Sequence, residues 1–313
     1  MSALSWSAEA AAARDAGQPL VALESAIVTH GMPWPTNRDT VAAVEAEVRA
    51  AGAEPATIAV LEGEARIGLT AEEVAALAQH PERRKISVAD LGHALATGAT
   101  GGTTVAATLH LAAAAGIAVF ATGGIGGVHR GAEMDWDISA DLAMLARAPL
   151  ITVAAGAKAI LDLPRTLELL ESLGVPVIGY RTDHLPAFWS RGSALPLTLR
   201  AETAGEIAES FRHHRNLGLP GGLLIANPIP AADEIPAARI APWIDEAEEA
   251  ARAEGITGKA VTPFLLDHIG RRSDGAALTA NVALVRNNAR LAAEIAVALA
   301  TETGRLDRPG AHR

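Results

Sequence analysis

The chain has 313 residues, half of them apolar, enough to bury the core of one large α/β domain or two modest ones. Its formal charge of −10 is spread without blocks of like sign, so the electrostatic footprint of a nucleic-acid or anionic-membrane binder is missing. It has no cysteine, which excludes disulfide frameworks, thiolate metal sites and cysteine nucleophiles, and suits a reducing cytoplasm.

The N-terminal MSALSWSAEAAAARDAG lacks the positive start and apolar core of a secretory signal, so a cytoplasmic location is expected. LVALESAIV, from Leu20, predicts a strand buried on both faces, interrupted by Glu24. A buried carboxylate is costly unless paired, and its raised pKa moves into the range useful for general acid and base work. An ion pair or backbone hydrogen bonds would equally account for it. The segment His30 to Pro35, HGMPWP, predicts a rigid turn against which Trp34 packs. Thr36, with Asp39 three residues on, predicts the start of a helix whose stripe is Val41, Val44 and Val48, ended by Gly52. A strand follows at ATIAVL from Ala56. Thr70 and Glu73 then form a capping box that opens a helix from Ala71 to Gln79. KISV predicts a strand opened by Lys85, either a cation for an anionic ligand or a solvated edge residue.

From Ala94 to Val128 the chain carries no Asp, Glu, Lys or Arg and is long enough on paper to cross a bilayer. Its glycines, Thr pair, His110 and many alanines instead predict a buried helix followed by a buried strand. Within it, TGATGGTTVAATLH offers amides and the Thr103 and Thr104 hydroxyls at a helix start, a ready anion site. The strand IAVFATGG leads into ATGGIGGVHRG, which fails the dinucleotide fingerprint because His129 stands where the last glycine belongs. No GxxxxGK[ST] occurs, which argues against a P-loop kinase. In MDWDISADL, Asp135, Asp137 and Asp141 are oxygen ligands suited to Mg²⁺ or Mn²⁺. Equally, Ser139 caps a helix through Asp141 to Arg147, whose dipole stabilises an aspartate with no metal.

LITVAAGAK places Lys158 at the carboxyl end of a predicted strand, with AILDL as the expected helix start. Functional residues gather at such ends in α/β folds. A lysine titrates near pH 10.4, so roughly one in a few thousand is neutral at pH 7; only a desolvating environment makes it a nucleophile. Pairing with Asp162, four residues on, is the plainer reading. Composition adds weight to the first, because of 26 basic residues only Lys85, Lys158 and Lys259 are lysine and 23 are arginine. A lysine retained against that bias marks a place where arginine fails. VPVIGY from Val175 and GLLIANPI from Gly222 are further strands, and Leu278 to Thr301 reads as one long Ala-rich helix. The alternation predicts an α/β/α sandwich with a mixed, largely parallel central sheet. No repeat or linker divides the chain, so a single domain over 1–313 is expected.

Taken together, ALESAIVTHGMPWP, ATGGIGGVHRGAEMDWDISADL, AAGAKAILD, GGLLIANPIP, TPFLL and LTANVALVRNNA resemble the pseudouridine-5′-phosphate glycosidase family, in order from about Leu20 to Ala300. Residues 1–18 match nothing in it and are expected to be peripheral. The resemblance implies reversible cleavage of the carbon–carbon bond between uracil C5 and ribose C1′, with a divalent metal, usually Mn²⁺, in a homotrimer. It implies that Lys158 is the covalent nucleophile and Glu24 the proton donor. It implies substrate binding by Lys85, Thr104, Val105, Ser139, Ala140, Asp141 and Asn281, and a metal-linked Asp137. Asp135 has no counterpart in the family's pattern, and no role for Lys259 follows.

A carbon leaving group is far poorer than a protonated base nitrogen, so the paired-carboxylate strategy of ordinary glycosidases is insufficient. A lysine amine attached to C1′ answers this need, and arginine, always protonated, cannot. Two other readings share these residues: a Schiff-base aldolase acting on a phosphosugar, and a non-catalytic phosphosugar sensor.

Overall fold

The computed structural model describes residues 4–306, with side chains to 301. One eleven-stranded sheet runs through the molecule. Its strands are β1 (Ser5–Trp6), β2 (Leu20–Leu23), β3 (Glu54–Leu61), β4 (Glu64–Ile67), β5 (Arg84–Ile86), β6 (Gly101–Thr103), β7 (Val119–Ala121), β8 (Ile151–Ala154), β9 (Val177–Tyr180), β10 (Leu199–Ala201) and β11 (Leu223–Ala226). The main path is β1-β4-β3-β2-β7-β8-β11-β9-β10, and β6 joins β3 to β5. From β3 to β10 every neighbouring pair on that path is parallel. The antiparallel pairs, β3 with β4 and β3 with β6, make the sheet mixed.

The seven apolar runs became β2, β3, β5, β7, β8, β9 and β11. Except in β5, where Arg84 is exposed and Lys85 half-buried, these runs are largely buried on both faces, as a sheet covered by two helix layers requires. One group of helices packs around Ala276–Leu306, which meets Thr36–Ala50, Ala204–Asn216 and strands β2, β7 and β8. Ala289, Ala292 and Ala293 are fully buried on that long helix, and their small side chains let its backbone approach the sheet. A second group joins Val105–Ala114 to Ala140–Leu145. This is the α/β/α sandwich that the alternation of elements predicts.

Four strands escape the pattern because none is an apolar run: β1 reads SW, β4 EARI, β6 GGT and β10 LRA. In β6 the glycines allow close approach, since a Cβ on Gly102 would lie 2.4 Å from the Ser25 carbonyl oxygen. The N-terminal segment forms β1, parallel to β4 at the sheet edge, and a helix, Ala8–Asp15, that packs on β3.

Several local expectations need correction. The first strand stops at Leu23, so Glu24 lies just beyond it, and a π-helical turn over Ile27–Gly31 takes the remainder of the run. Thr36–Ala50 is helical but not capped by Thr36: Pro35 precedes it without a side-chain bond, and Asp39 pairs with Arg38. Trp34 does not pack inward; it is 42% exposed, with the Arg38 guanidinium over its ring at 4.9 Å. The capping box of Thr70 and Glu73 is present, as is the buried helix and strand of the uncharged stretch, Val105–Ala114 and β7. No helix among the described residues is long and apolar enough to cross a membrane.

Candidate active site

Strands β2, β7 and β8 are parallel neighbours, so their carboxyl ends open on one edge of the sheet. Glu24 follows β2, Thr122 to Gly124 follow β7, and Lys158 follows β8 after a short loop. The two loops are zipped together, Ile125 N donating to Gly156 O and Lys158 N to Ile125 O, each at 3.1 Å. Gly156 has φ +78°, and a Cβ there would lie 2.2 Å from the Pro186 carbonyl oxygen, so the loop needs glycine on both counts. Helix does not begin directly after Lys158. It begins at Leu163, where the Asp162 carboxylate caps Arg165 N at 3.0 Å. The expected Lys158–Asp162 pair is therefore replaced by a cap, and Lys158 faces the cavity.

Glu24, Lys85, Lys158 and Asn281 line that cavity together. The Thr122 hydroxyl donates to Glu24 Oε1 at 2.7 Å. Burial pushes the Glu24 carboxyl above the ordinary carboxylate range, Lys158 and the Thr122 hydrogen bond oppose that rise, and Asp141 adds to it. Lys85 sits in β5, and its ammonium is pushed down by burial and then by the positive charge of Lys158. Two basic side chains thus face one cavity. Asn281 Oδ1 is buried without a hydrogen-bond partner, an acceptor left for a ligand donor.

The remaining expected residues stand behind or beside this cavity. Thr103 is fully buried, and its hydroxyl donates to Ile58 O at 2.7 Å, so it is no ligand group. Thr104 caps Val105–Ala114 through Ala107 N, and Val105 is buried at the helix start; neither lines the cavity. Asp141 supplies that helix with its anion: Oδ1 accepts Ala106 N at 2.9 Å and Oδ2 accepts Gly126 N at 2.8 Å. Ser139 caps Ala140–Leu145 through Asp141 N, and Ala140 is exposed.

Asp137 borders a second hollow with Asp135, His129 and Glu248. His129 Nδ1 lies 4.0 Å from Asp137 Oδ2. Burial first, then Lys158 and Lys85, hold this imidazole below its ordinary value, while Asp137 opposes them. His129 thus stands electrostatically between the two hollows. Among the described residues no group of three or more His, Cys, Asp or Glu side chains is arranged to hold a metal ion.

Most of the lining has no part assigned from sequence, and three of those residues stand out. His30 lies in the π-helical turn and is held low by burial, Lys85 and Arg83. Phe188 has φ +60°, rare for an aromatic residue, and a Cβ on Gly124 would lie 2.6 Å from its ring. Leu266 comes from the helix Val261–Arg272, brought over the cavity from late in the chain. His30 and Leu266 stand in the HGMPWP and TPFLL segments, whereas nothing local marks Phe188. Lys259 also gains a place: its ammonium pairs with Asp90 at 2.5 Å and its carbonyl lies 3.5 Å from Lys85 Nζ.

The family model for indigoidine synthase A-like proteins matches residues 9–298. A protein of Jannaschia sp. named pseudouridine-5′-phosphate glycosidase is 61% identical over 298 residues, covering 95% of this chain and 99% of its own. One of the same name from Dinoroseobacter shibae is 58% identical over 287 residues, covering 92% and 94%. Among solved structures, an indigoidine synthase A-like protein of Thermotoga maritima superposes with a TM-score of 0.85 at 34% identity, covering 91% of this chain and 94% of that one. The prealnumycin C-glycosynthase AlnA, in complex with ribulose 5-phosphate, superposes at 0.88 with 40% identity, covering 96% and 98%. With likeness over nearly all of its length in both sequence and fold, the chain belongs to the indigoidine synthase A-like family, among relatives named pseudouridine-5′-phosphate glycosidases.

Proposed function

We propose that this chain is one catalytic unit that reversibly cleaves the C–C glycosidic bond of pseudouridine 5′-phosphate to uracil and ribose 5-phosphate. The observation that carries the reading is the convergence of Glu24, Lys158, Lys85 and Asn281 on one cavity. An amine that forms a covalent bond, a carboxyl group whose burial favours its protonated form, a second cation and an unpaired amide acceptor are the groups such a reaction needs.

In this reading the C1′–O4′ bond opens, Glu24 moving the protons, and Lys158 Nζ bonds to C1′. A proton is delivered to uracil C5. The amine lone pair then forms C1′=N as the C1′–C5 bond breaks, and its electrons return to the protonated base, which leaves neutral. Water hydrolyses the imine to free ribose 5-phosphate and Lys158. Lys85 holds the anionic end of the substrate, with Thr104, Val105 and the Ser139–Ala140–Asp141 segment shaping the wall behind it, and Asn281 accepts from the base.

Asp137, a hard carboxylate at the second hollow, would hold an ion such as Mn²⁺ with water completing its shell, since among the described residues no cluster of three ligating side chains is present. When bound, the ion would orient substrate oxygens through that water. Association as a homotrimer is part of the same reading, supported by Met134 and Trp136, exposed at 86% and 79%. So is a cytoplasmic setting, supported by the lack of cysteine, and a role in pseudouridine breakdown.

The deciding experiment incubates the protein with pseudouridine 5′-phosphate and Mn²⁺, follows uracil by chromatography, and repeats it with Lys158→Ala and after chelation. Uracil release that disappears in Lys158→Ala, with a borohydride-trapped adduct on Lys158 in the parent, is the expected result. Full activity in Lys158→Ala would overturn the covalent mechanism, and full activity after exhaustive chelation would remove the metal. The AlnA likeness favours one second reading, another phosphosugar enzyme that joins or cleaves carbon at C1′. It predicts imine trapping without uracil release.

A further inference from the structure

Two motifs in the sequence, ANP around Asn227 and RNNA around Asn288, have no part in the chemistry above. The fold brings both to the back of the cavity. Asn288 is fully buried on the long C-terminal helix. Its Nδ2 donates to Thr122 O at 2.8 Å and to Gly123 O at 3.3 Å, and its Oδ1 accepts from Asn227 Nδ2 at 3.0 Å. Asn227 N in turn donates to Ala154 O at the end of β8. Thr122, also fully buried, is thereby held from behind by its carbonyl while its hydroxyl points forward to Glu24 Oε1 at 2.7 Å.

This is a continuous chain of hydrogen bonds from β11 through the C-terminal helix to the loop after β7, ending on one carboxyl group. A buried polar chain is costly unless every member is paired, and here each amide and hydroxyl named finds a partner. Packing alone would be served as well by Val at 122 and Leu at 288. What the polar side chains add is direction, because a threonine hydroxyl whose backbone is fixed can aim at one carboxylate oxygen.

We propose that Thr122, held in place by Asn288, is a positioning residue that fixes the orientation and hydrogen-bonded state of the Glu24 carboxyl group. The role assigned to Glu24 rests on the glycosidase reading; the structural relationship does not. A donor to Glu24 Oε1 stabilises the ionised form, so its loss raises the pH at which Glu24 ionises. The other charged groups that face Glu24 are Lys158, Lys85 and Asp141, with His30 lining the same cavity; substitution at 122 leaves all of them in place.

The test titrates Glu24 directly by NMR in protein labelled at the glutamate side-chain carboxyl, the resonance being assigned by its loss in Glu24→Gln. In Thr122→Val the Glu24 midpoint is expected to rise by about one pH unit, the size of one charged hydrogen bond. Thr122→Ser is expected to restore it. In turnover of pseudouridine 5′-phosphate, the limb of the pH profile that belongs to Glu24 should move the same way, with kcat about tenfold lower at its old optimum. Thr122→Ala removes the same hydroxyl should the valine variant not fold. An unmoved midpoint in the folded variant lacking the hydroxyl, or a serine variant as shifted as the valine one, overturns the proposal. Asn288→Ala should move the midpoint upward by a smaller amount, and an unchanged midpoint there removes the part assigned to Asn288. If the parent protein releases no uracil, the glycosidase reading fails while the NMR titration still decides this one.

Discussion

Asp141 Oδ2 accepts the amide of Gly126 at 2.8 Å, and a Cβ placed on Gly126 would stand 2.8 Å from that same oxygen and 2.3 Å from Ser139 Oγ. The glycine-rich loop is therefore not a cradle for a dinucleotide. At Gly126 it makes room for the protein's own carboxylate, which also holds the first turn of Val105–Ala114 through Ala106 N.

Asp141→Ala leaves two amides, of which Ala106 N is buried, without acceptors. The expected cost is about 2 to 4 kcal/mol in urea unfolding, with Asp141→Asn recovering part of it. Gly126→Ala should destabilise the protein too and lower turnover, because the loop it displaces carries Ile125, whose carbonyl holds Lys158 N.

Glu24→Gln should abolish turnover and stabilise the fold at neutral pH. Because the folded-state pKa of Glu24 is raised, its favourable contribution is complete below the unfolded carboxylate value and is lost as pH rises through the folded one. The amide removes that loss. A gain of roughly 1 kcal/mol at pH 7 that shrinks toward zero as pH falls to the carboxylate range is the expected thermal-unfolding result.

Lys259→Met breaks an exposed ion pair with Asp90, so unfolding free energy should change by less than about 1 kcal/mol. Steady-state kinetics should nevertheless show KM raised several-fold with kcat little changed. The Asp90 ion pair tethers the turn that leads into the helix carrying Leu266 over the cavity, and without it the Lys259 backbone carbonyl, which the substitution keeps, is less firmly held against Lys85 Nζ.

Trp136→Glu with Met134→Glu places charge on an exposed apolar patch. In sedimentation velocity the parent is expected at about three times its 32.1 kDa chain mass, and the double variant at lower mass. A parent that sediments as a monomer would overturn the trimer.

Period and composition alone specify most of the buried strands and one capping box, because these depend on residues close in sequence. The seven apolar runs and the Thr70–Glu73 box are legible for that reason, and the lysine scarcity with the quoted motifs points to Lys158 and Lys85. Where each polar side chain spends its hydrogen bonds is decided by partners far along the chain. Glu24 is bonded by Thr122, Asn288 holds Thr122 from the last helix, and Asp141 takes the amides of Ala106 and Gly126. Such choices depend on which strands lie side by side. Only the tertiary structure, by setting β2, β7 and β8 next to one another, turns a list of separate polar residues into one site with a front and a supporting back.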